Sequence, residues 1–211
     1  MFGQGACNNQ SSVTHHGYEY DIVAIGDQCW FAENCRYLPV VVVPPSSERS
    51  DEAAETDPYY YVIAYEGADV AEAQATENYA TYGVLYNWSA VMTEGICPSG
   101  WHIPSDGDFT QLTDFLGGEI VAGHAMKSTS GWNNYGNGNN GNGSNSSGFN
   151  ALPGAVGYRG GFTDCGYVGY WWSASESGSV SRVLYLSLLF DVVGRGSANR
   201  YRGHSARCVR D

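Results

Sequence analysis

From Tyr18 to Ile25 the side chains alternate, with Tyr18, Tyr20, Ile22 and Ala24 on one side and Glu19, Asp21, Val23 and Ile25 on the other, which is the period of a strand. Gly26-Asp27 then predicts a turn into Gln28-Cys29-Trp30-Phe31, so a hairpin is expected. Residues 38–45 read LPVVVVPP. The run Val40, Val41, Val42, Val43 suits a strand, but the flanking prolines keep it from the centre of a sheet, so an edge strand or one offered to a partner is expected. Residues 59–65 and 84–88 are again strand-like, with a loop or short helix between them. After Pro104 the period becomes helical: Ser105 is placed as N-cap with Asp108 three residues on, Phe109, Leu112, Phe115 and Leu116 share one face, and Gly117-Gly118 ends the helix. A second short helix fits residues 119–127, weakened by Gly123. Short strands separated by glycine are expected at residues 156–158, 170–173, 182–191 and 205–209. The pattern is α+β with the helices clustered mid-chain.

Three stretches lack either period. Residues 1–17 are polar and small and are expected as an extended arm ahead of a single domain spanning 18–211. Residues 46–58 form an acidic surface loop, and residues 133–148 are Asn, Gly or Ser apart from Tyr135, a long loop expected to be flexible. At 211 residues, 43% apolar and 14% aromatic, the chain is long enough and apolar enough for a real core. A net charge of −12 disfavours nucleic acid and anionic membrane surfaces as partners. The charge is uneven: residues 1–120 carry eighteen acids against two bases, and residues 121–211 eight bases against four acids. Such halves neutralise each other within one molecule or steer one copy onto another. No stretch approaches the length of a membrane span.

Six cysteines (Cys7, Cys29, Cys35, Cys97, Cys165, Cys208) without a CxxC pair, one lysine and many Tyr and Gly point to an exported, disulfide-containing protein, extracellular or on the cell surface. Four sequons offer Asn9, Asn87, Asn142 and Asn145 for glycosylation.

Several segments together resemble a bacterial family, the Fibrobacter succinogenes major paralogous domain: IGDQCWFAENCRYL (25–38), YGVLYNWSA (82–90), CPSGWHIPSDGDFTQL (97–112), LGGEIVAGHAMKSTSGW (116–132), GFNALPGAVGY (148–158), WWSASE (171–176) and SARCVRD (205–211). The resemblance implies a C-type-lectin-like fold, shared with formylglycine-generating enzymes and with the variable proteins of diversity-generating retroelements; it implies no activity. It also suggests a Cys97–Cys208 disulfide. Cys29 and Cys35 stand where the family pattern has apolar residues, and Cys7, Cys29, Cys35 and Cys165 then allow three pairings that sequence does not rank.

The segment NRYRGHSAR (199–207) resembles the end of formylglycine-generating enzymes, but only Cys208 lies nearby, so their copper-binding cysteine pair is missing. A Cys97–His102 nucleophilic dyad competes with a disulfide at Cys97. His15, His16, His102, His124 and His204 lack zinc-site spacing. Asp106, Asp108 and Asp114 offer oxygens to calcium, although helix capping explains the first two without a metal. No catalytic constellation stands out, so a non-enzymatic protein without a resident cofactor is expected. The favoured expectation is a subunit that assembles head-to-tail into a fibre through the arm or the valine strand. The alternative is a lectin-like module binding a glycan or a protein. Its face would comprise Tyr158, Arg159, Tyr167, Tyr170, Asn199, Arg200, Tyr201 and Arg202, the rigid aromatic and adaptable polar mixture typical of paratopes.

Overall fold

The structure, a computed structural model, describes residues 5–44, 56–136, 139–158 and 160–211. It mixes helices with antiparallel strands. One sheet runs in the order β1 (Ser12–His15), β2 (Tyr18–Ile25), β3 (Gln28–Phe31) and β13 (Val209–Arg210), so the last strand of the chain closes onto the first hairpins. The expected hairpin is present: Ile25 pairs with Gln28, and Gly26 takes the left-handed φ of +63° that the turn requires. The other main sheet is β10 (Val168–Ser177), β11 (Val180–Ser187) and β12 (Phe190–Asn199). The stretch 182–191, expected as one strand, instead turns at Leu188-Leu189 and contributes to both β11 and β12.

Alternation divides this second sheet between two cores. Trp171, Leu184, Leu186 and Val193 pack with Trp30, Phe109, Leu112, Met126 and Phe149. Trp172, Val183 and Ala198 pack instead with Tyr20, Phe31, Tyr86 and Ile96. Two short ladders are β4 (Tyr60–Tyr61) with β5 (Leu85–Tyr86) and β8 (Val156–Tyr158) with β9 (Gly161–Thr163); Tyr61, Ile63, Leu85 and Ala155 form a third, smaller core against which Phe162 packs, and β6 (Asn134–Gly136) pairs with β7 (Asn139–Asn140).

Helices α1 (Val70–Gln74), α2 (Glu77–Tyr82) and α3 (Trp88–Val91) are each capped at the N-terminus by a side chain, from Asp69, Thr76 and Asn87 in turn. Helix α4 (Asp106–Phe115) carries the expected reciprocal capping box between Ser105 and Asp108. Its buried face is Phe109, Leu112 and Thr113; Phe115, expected on that face, is 50% exposed. Helix α5 (Glu119–Met126) follows and lies against β12. Gly123, unfavourable for the helix itself, is required by the packing: a Cβ there would sit 2.4 Å from the Asp191 carbonyl oxygen, so glycine is what lets helix and strand approach.

Of the six cysteines, Cys7 bonds Cys29 and Cys97 bonds Cys208, the latter as the family resemblance implied. The expected bonding of Cys35 and Cys165 is corrected: Cys35 is a buried thiol and Cys165 an exposed one. The arm is corrected too for its described residues, 5–17. Ser12–His15 pairs in register with Tyr18–Asp21 on β2, and the Cys7–Cys29 bond ties the preceding turn to β3. The valine run is no strand; Val41 is buried, Val40 and Val43 are exposed, and Val42 meets β4 through a single bond from its N–H to the Tyr60 carbonyl.

Residues 141–148 of the Asn/Gly/Ser loop are packed rather than free. The N–H groups of Ser144, Ser147 and Asn145 donate to the carbonyls of His124, Ala125 and Lys127, taking up acceptors at the end of α5 that the helix itself leaves open. Gly143 has no room for a side chain, since a Cβ would come within 2.4 Å of the His124 carbonyl oxygen. Its composition therefore reflects close backbone approach. Of the acidic loop, residues 46–55 lie outside the described residues.

The Cys7–Cys29 bond closes a sequence separation of 22 residues, a closure worth about 3 kcal/mol against the unfolded chain. The double variant Cys7→Ser/Cys29→Ser is expected to lose about that much in urea unfolding and to become cleavable by protease within residues 5–17. Unchanged stability would mean that this segment does not belong to the fold.

Candidate ligand-binding face

After β12 the chain enters a slot between β5, β8 and β10. Gly203 exchanges both backbone hydrogen bonds with Gly157, at 2.9 and 3.0 Å, and His204 does the same with Tyr86, at 3.0 and 2.8 Å. Ser205 then donates to Tyr170 and accepts from Trp172. Glycine is required where the strip meets β8: a Cβ on Gly203 would lie 2.7 Å from the Tyr61 ring. The next residues are held by Arg207, which is fully buried. Its guanidinium donates to the carbonyls of Phe31, Phe149 and Asn150 and to Asn34 Oδ1, and lies 4.1 Å above the Phe149 ring. Burial lowers its pKa to about 9, partly countered by Cys35 and Glu33, so it stays charged at neutral pH.

The strip presents a half-buried aromatic face. Tyr201 stacks on Tyr158 with ring centres 6.2 Å apart, and the Arg202 guanidinium lies 4.7 Å above the same Tyr158 ring. Tyr170 sits 5.7 Å from Tyr185 and 5.0 Å from His204, whose other side meets Trp172 at 4.7 Å. Tyr170, Tyr185 and Gly194 form one row across three strands. The Tyr185 ring fills the space a Gly194 side chain would occupy, 2.1 Å from its Cβ position.

Among the buried polar atoms without a hydrogen bond here are those of Arg202 and His204. Arg202 makes no ion pair among the described residues, and its Nε is buried without a hydrogen bond. His204 is buried with neither ring nitrogen bonded. Its pKa is lowered to about 3, by burial first and then by the charge on Arg202, so the ring is neutral at pH 7.

The expected binding residues divide. Tyr158, Tyr170, Tyr201 and Arg202 come together, and Asn199 steadies the group through a 3.0 Å hydrogen bond from Nδ2 to the Tyr201 hydroxyl. Arg200 is engaged elsewhere, paired to Glu176 at 2.6 Å and stacked on Trp88 at 4.3 Å. Tyr167 is exposed and makes no ring contact with the group. Arg159 lies outside the described residues. Sequence reasoning missed Tyr185 and His204: Tyr185 joins the face by pairing with Tyr170 across β10 and β11, and His204 by its bridge to Tyr86.

Other sequence candidates resolve differently. Asp106, Asp108 and Asp114 do not converge on a common point; Asp106 pairs with Arg195, and the described group whose ligand atoms lie within 4.8 Å of one another is His102, Asp108 and Asp211. There the Asp108 oxygens are already taken by Ser105, Gln28 and His102. Cys97 is oxidised, which removes the nucleophile of a Cys97–His102 dyad, and lines a groove of about 590 Å³ with Met92, Trp101 and His102. Asn87 is fully buried, with Nδ2 bonded to the Asp57 carbonyl, so the folded chain offers no glycan site there. Asn9 is exposed; Asn142 and Asn145 are half-buried and accept bonds from the Trp132 and Asn150 N–H groups. Arg195, on Asp106 and Glu119, joins the basic half of the chain to the acidic half within one molecule. No helix among the described residues is long and apolar enough to cross a membrane.

His204 predicts a pH dependence of stability. The unfolded chain takes up a proton near pH 6.5 and the folded chain only near 3, so stability is complete above 6.5 and falls between 6.5 and 3, by at most about 1.4 kcal/mol per pH unit. His204→Phe is expected to lose less melting temperature than the parent between pH 7 and 4.5; parallel losses would contradict a neutral buried ring.

No curated protein and no solved structure matches the chain. The sequence model of the Fibrobacter succinogenes major domain matches residues 23–210, which include the turn and second strand of the hairpin, the capping box, the Arg207 segment and every described residue of the aromatic face. The chain belongs to the Fibrobacter succinogenes major domain family.

Proposed function

We propose that this protein is a non-catalytic, exported binding module of C-type-lectin-like fold, whose ligand is an acidic saccharide taken up on Tyr158, Tyr170, Tyr185, Tyr201 and Arg202. The carrying observation is Arg202: a guanidinium laid over an aromatic ring, without a carboxylate partner among the described residues, in a protein of net charge −12. A guanidinium fork matches a carboxylate in two parallel hydrogen bonds, and tyrosine rings supply the flat apolar surface against which a sugar ring packs. Elsewhere the excess of acids repels an anionic polymer, which confines its binding to this face. The closure of the first hairpins by the last strand, with the helices between them in sequence, supports the C-type-lectin-like reading.

A second reading, self-assembly of copies, is favoured by a different observation. Ile120 is 76% exposed and Phe190 63%, with Val121, Leu189 and Val192 also exposed on α5, β12 and the turn before β12. With the arm folded in, this apolar group is the better place for a contact between copies.

Titration with an oligogalacturonate and with its methyl ester separates the readings. The acid is expected to bind with Arg202→Ala reducing affinity at least about tenfold, one lost charge-assisted contact, while the ester binds weakly. No binding of either compound, or an affinity indifferent to Arg202, would discard the saccharide reading. Sedimentation velocity of the same sample is expected to show a monomer, and a concentration-dependent polymer lost in Phe190→Ser would favour assembly.

A further inference from the structure

Three sulfur atoms meet at the end of the chain. Cys208 bonds Cys97, and the free Cys35 thiol lies 3.6 Å from Cys208 Sγ. Backbone bonds hold the two neighbours in place: Cys35 N–H donates to the Ala206 carbonyl at 2.9 Å, and Phe31 N–H donates to the Cys208 carbonyl at 3.0 Å. The third sulfur differs in its surroundings. Cys35 and Cys208 are buried, whereas Cys97 is half-buried on the wall of the 590 Å³ groove, beside Met92 and His102.

We propose that Cys35, Cys208 and Cys97 form a thiol relay, in which internal thiol–disulfide exchange moves the free thiol from the core to the groove and makes Cys97 a latent site for thiol-directed modification. The Cys35 thiolate attacks Cys208 Sγ, the sulfur within its reach; a Cys35–Cys208 bond forms, the Cys208–Cys97 bond breaks, and Cys97 leaves as thiolate and takes up the proton that Cys35 gave up. One disulfide and one thiol stand on each side, so no oxidant or reductant is consumed. A groove thiol is open to electrophiles and to mixed disulfides with other thiols; the thiol at Cys35 is not.

The surroundings of Cys35 set the rate. Burial pushes its thiol up to about 12; the Arg207 charge opposes this and Glu33 adds to it, while Tyr20 and Tyr86 are the other titratable neighbours. Attack needs the thiolate, so exchange is slow at neutral pH and gains about tenfold per pH unit below that value.

The test uses the full chain carrying Cys165→Ser, which removes the exposed thiol, incubated without reductant at pH 7, 8 and 9, quenched with iodoacetamide and mapped by non-reducing proteolysis and mass spectrometry. Alkylated Cys97 together with a Cys35–Cys208 peptide is expected, accumulating about ten times faster at pH 9 than at pH 8. Adding Cys35→Ala is expected to abolish Cys97 labelling. Label on Cys35 with Cys97–Cys208 intact would overturn the proposal, as would no label short of denaturation, or Cys97 labelling that survives Cys35→Ala.

Discussion

The rest of the structure depends on a cation inside the core. Arg207 is fully buried and is solvated by three backbone carbonyls, one side-chain amide oxygen and the face of Phe149 rather than by a paired carboxylate. An unpaired charge in a core costs several kcal/mol unless it is fully hydrogen-bonded, so the carbonyls of 31, 149 and 150 must stay where they are. Those positions belong to the first sheet and to the segment leading into β8, and Arg207 itself precedes β13. A single guanidinium thereby joins the beginning, middle and end of the chain, and the Cys97–Cys208 bond fastens the neighbouring residue to the entrance of α4.

The aromatic face follows from that anchor. The strip 203–205 lies in its slot because it is held at Arg207 on one side and by β12 on the other, and because Gly157 and Gly203 let two backbones and the Tyr61 ring come together. What it displays is set by alternation: Tyr170 and Tyr185 stand on the opposite face of the sheet from Trp171 and Leu184, at the rim of the second core. The same anchoring brings Cys35 beside Cys208, so binding face and sulfur cluster are two results of how the last dozen residues are held.

Much of this was legible in the chain. The Tyr18 to Phe31 hairpin followed from strict alternation with a Gly turn, and α4 from Ser105 and Asp108, because both are set by neighbours in sequence. Non-local terms were less legible. Residues 1–17 read as an arm because their composition is polar, yet one disulfide at Cys7 and one ladder at Ser12–His15 draw the described part of that segment in. The Asn/Gly/Ser loop read as flexible because glycine signals freedom in sequence; here it marks places where Leu188 or the end of α5 leaves no room for a side chain. Four members of the aromatic face were readable as a cluster of Tyr and Arg. Tyr185 and His204 join them only through cross-strand register and the bridge to Tyr86, which spacing along the chain does not encode.

Amide hydrogen exchange on Arg207→Lys, compared with the parent, addresses the dependence of the face on the buried cation. A lysine keeps the charge but cannot reach several carbonyls with a planar fork. If Arg207 positions the strip, the amides of Gly203, His204, Ser205 and Trp172 will exchange faster, together with those of Phe31 and Cys35, while the capping box of α4 keeps its protection. Faster exchange confined to residues 149–150, with 203–205 unchanged, would show that the face stands without it.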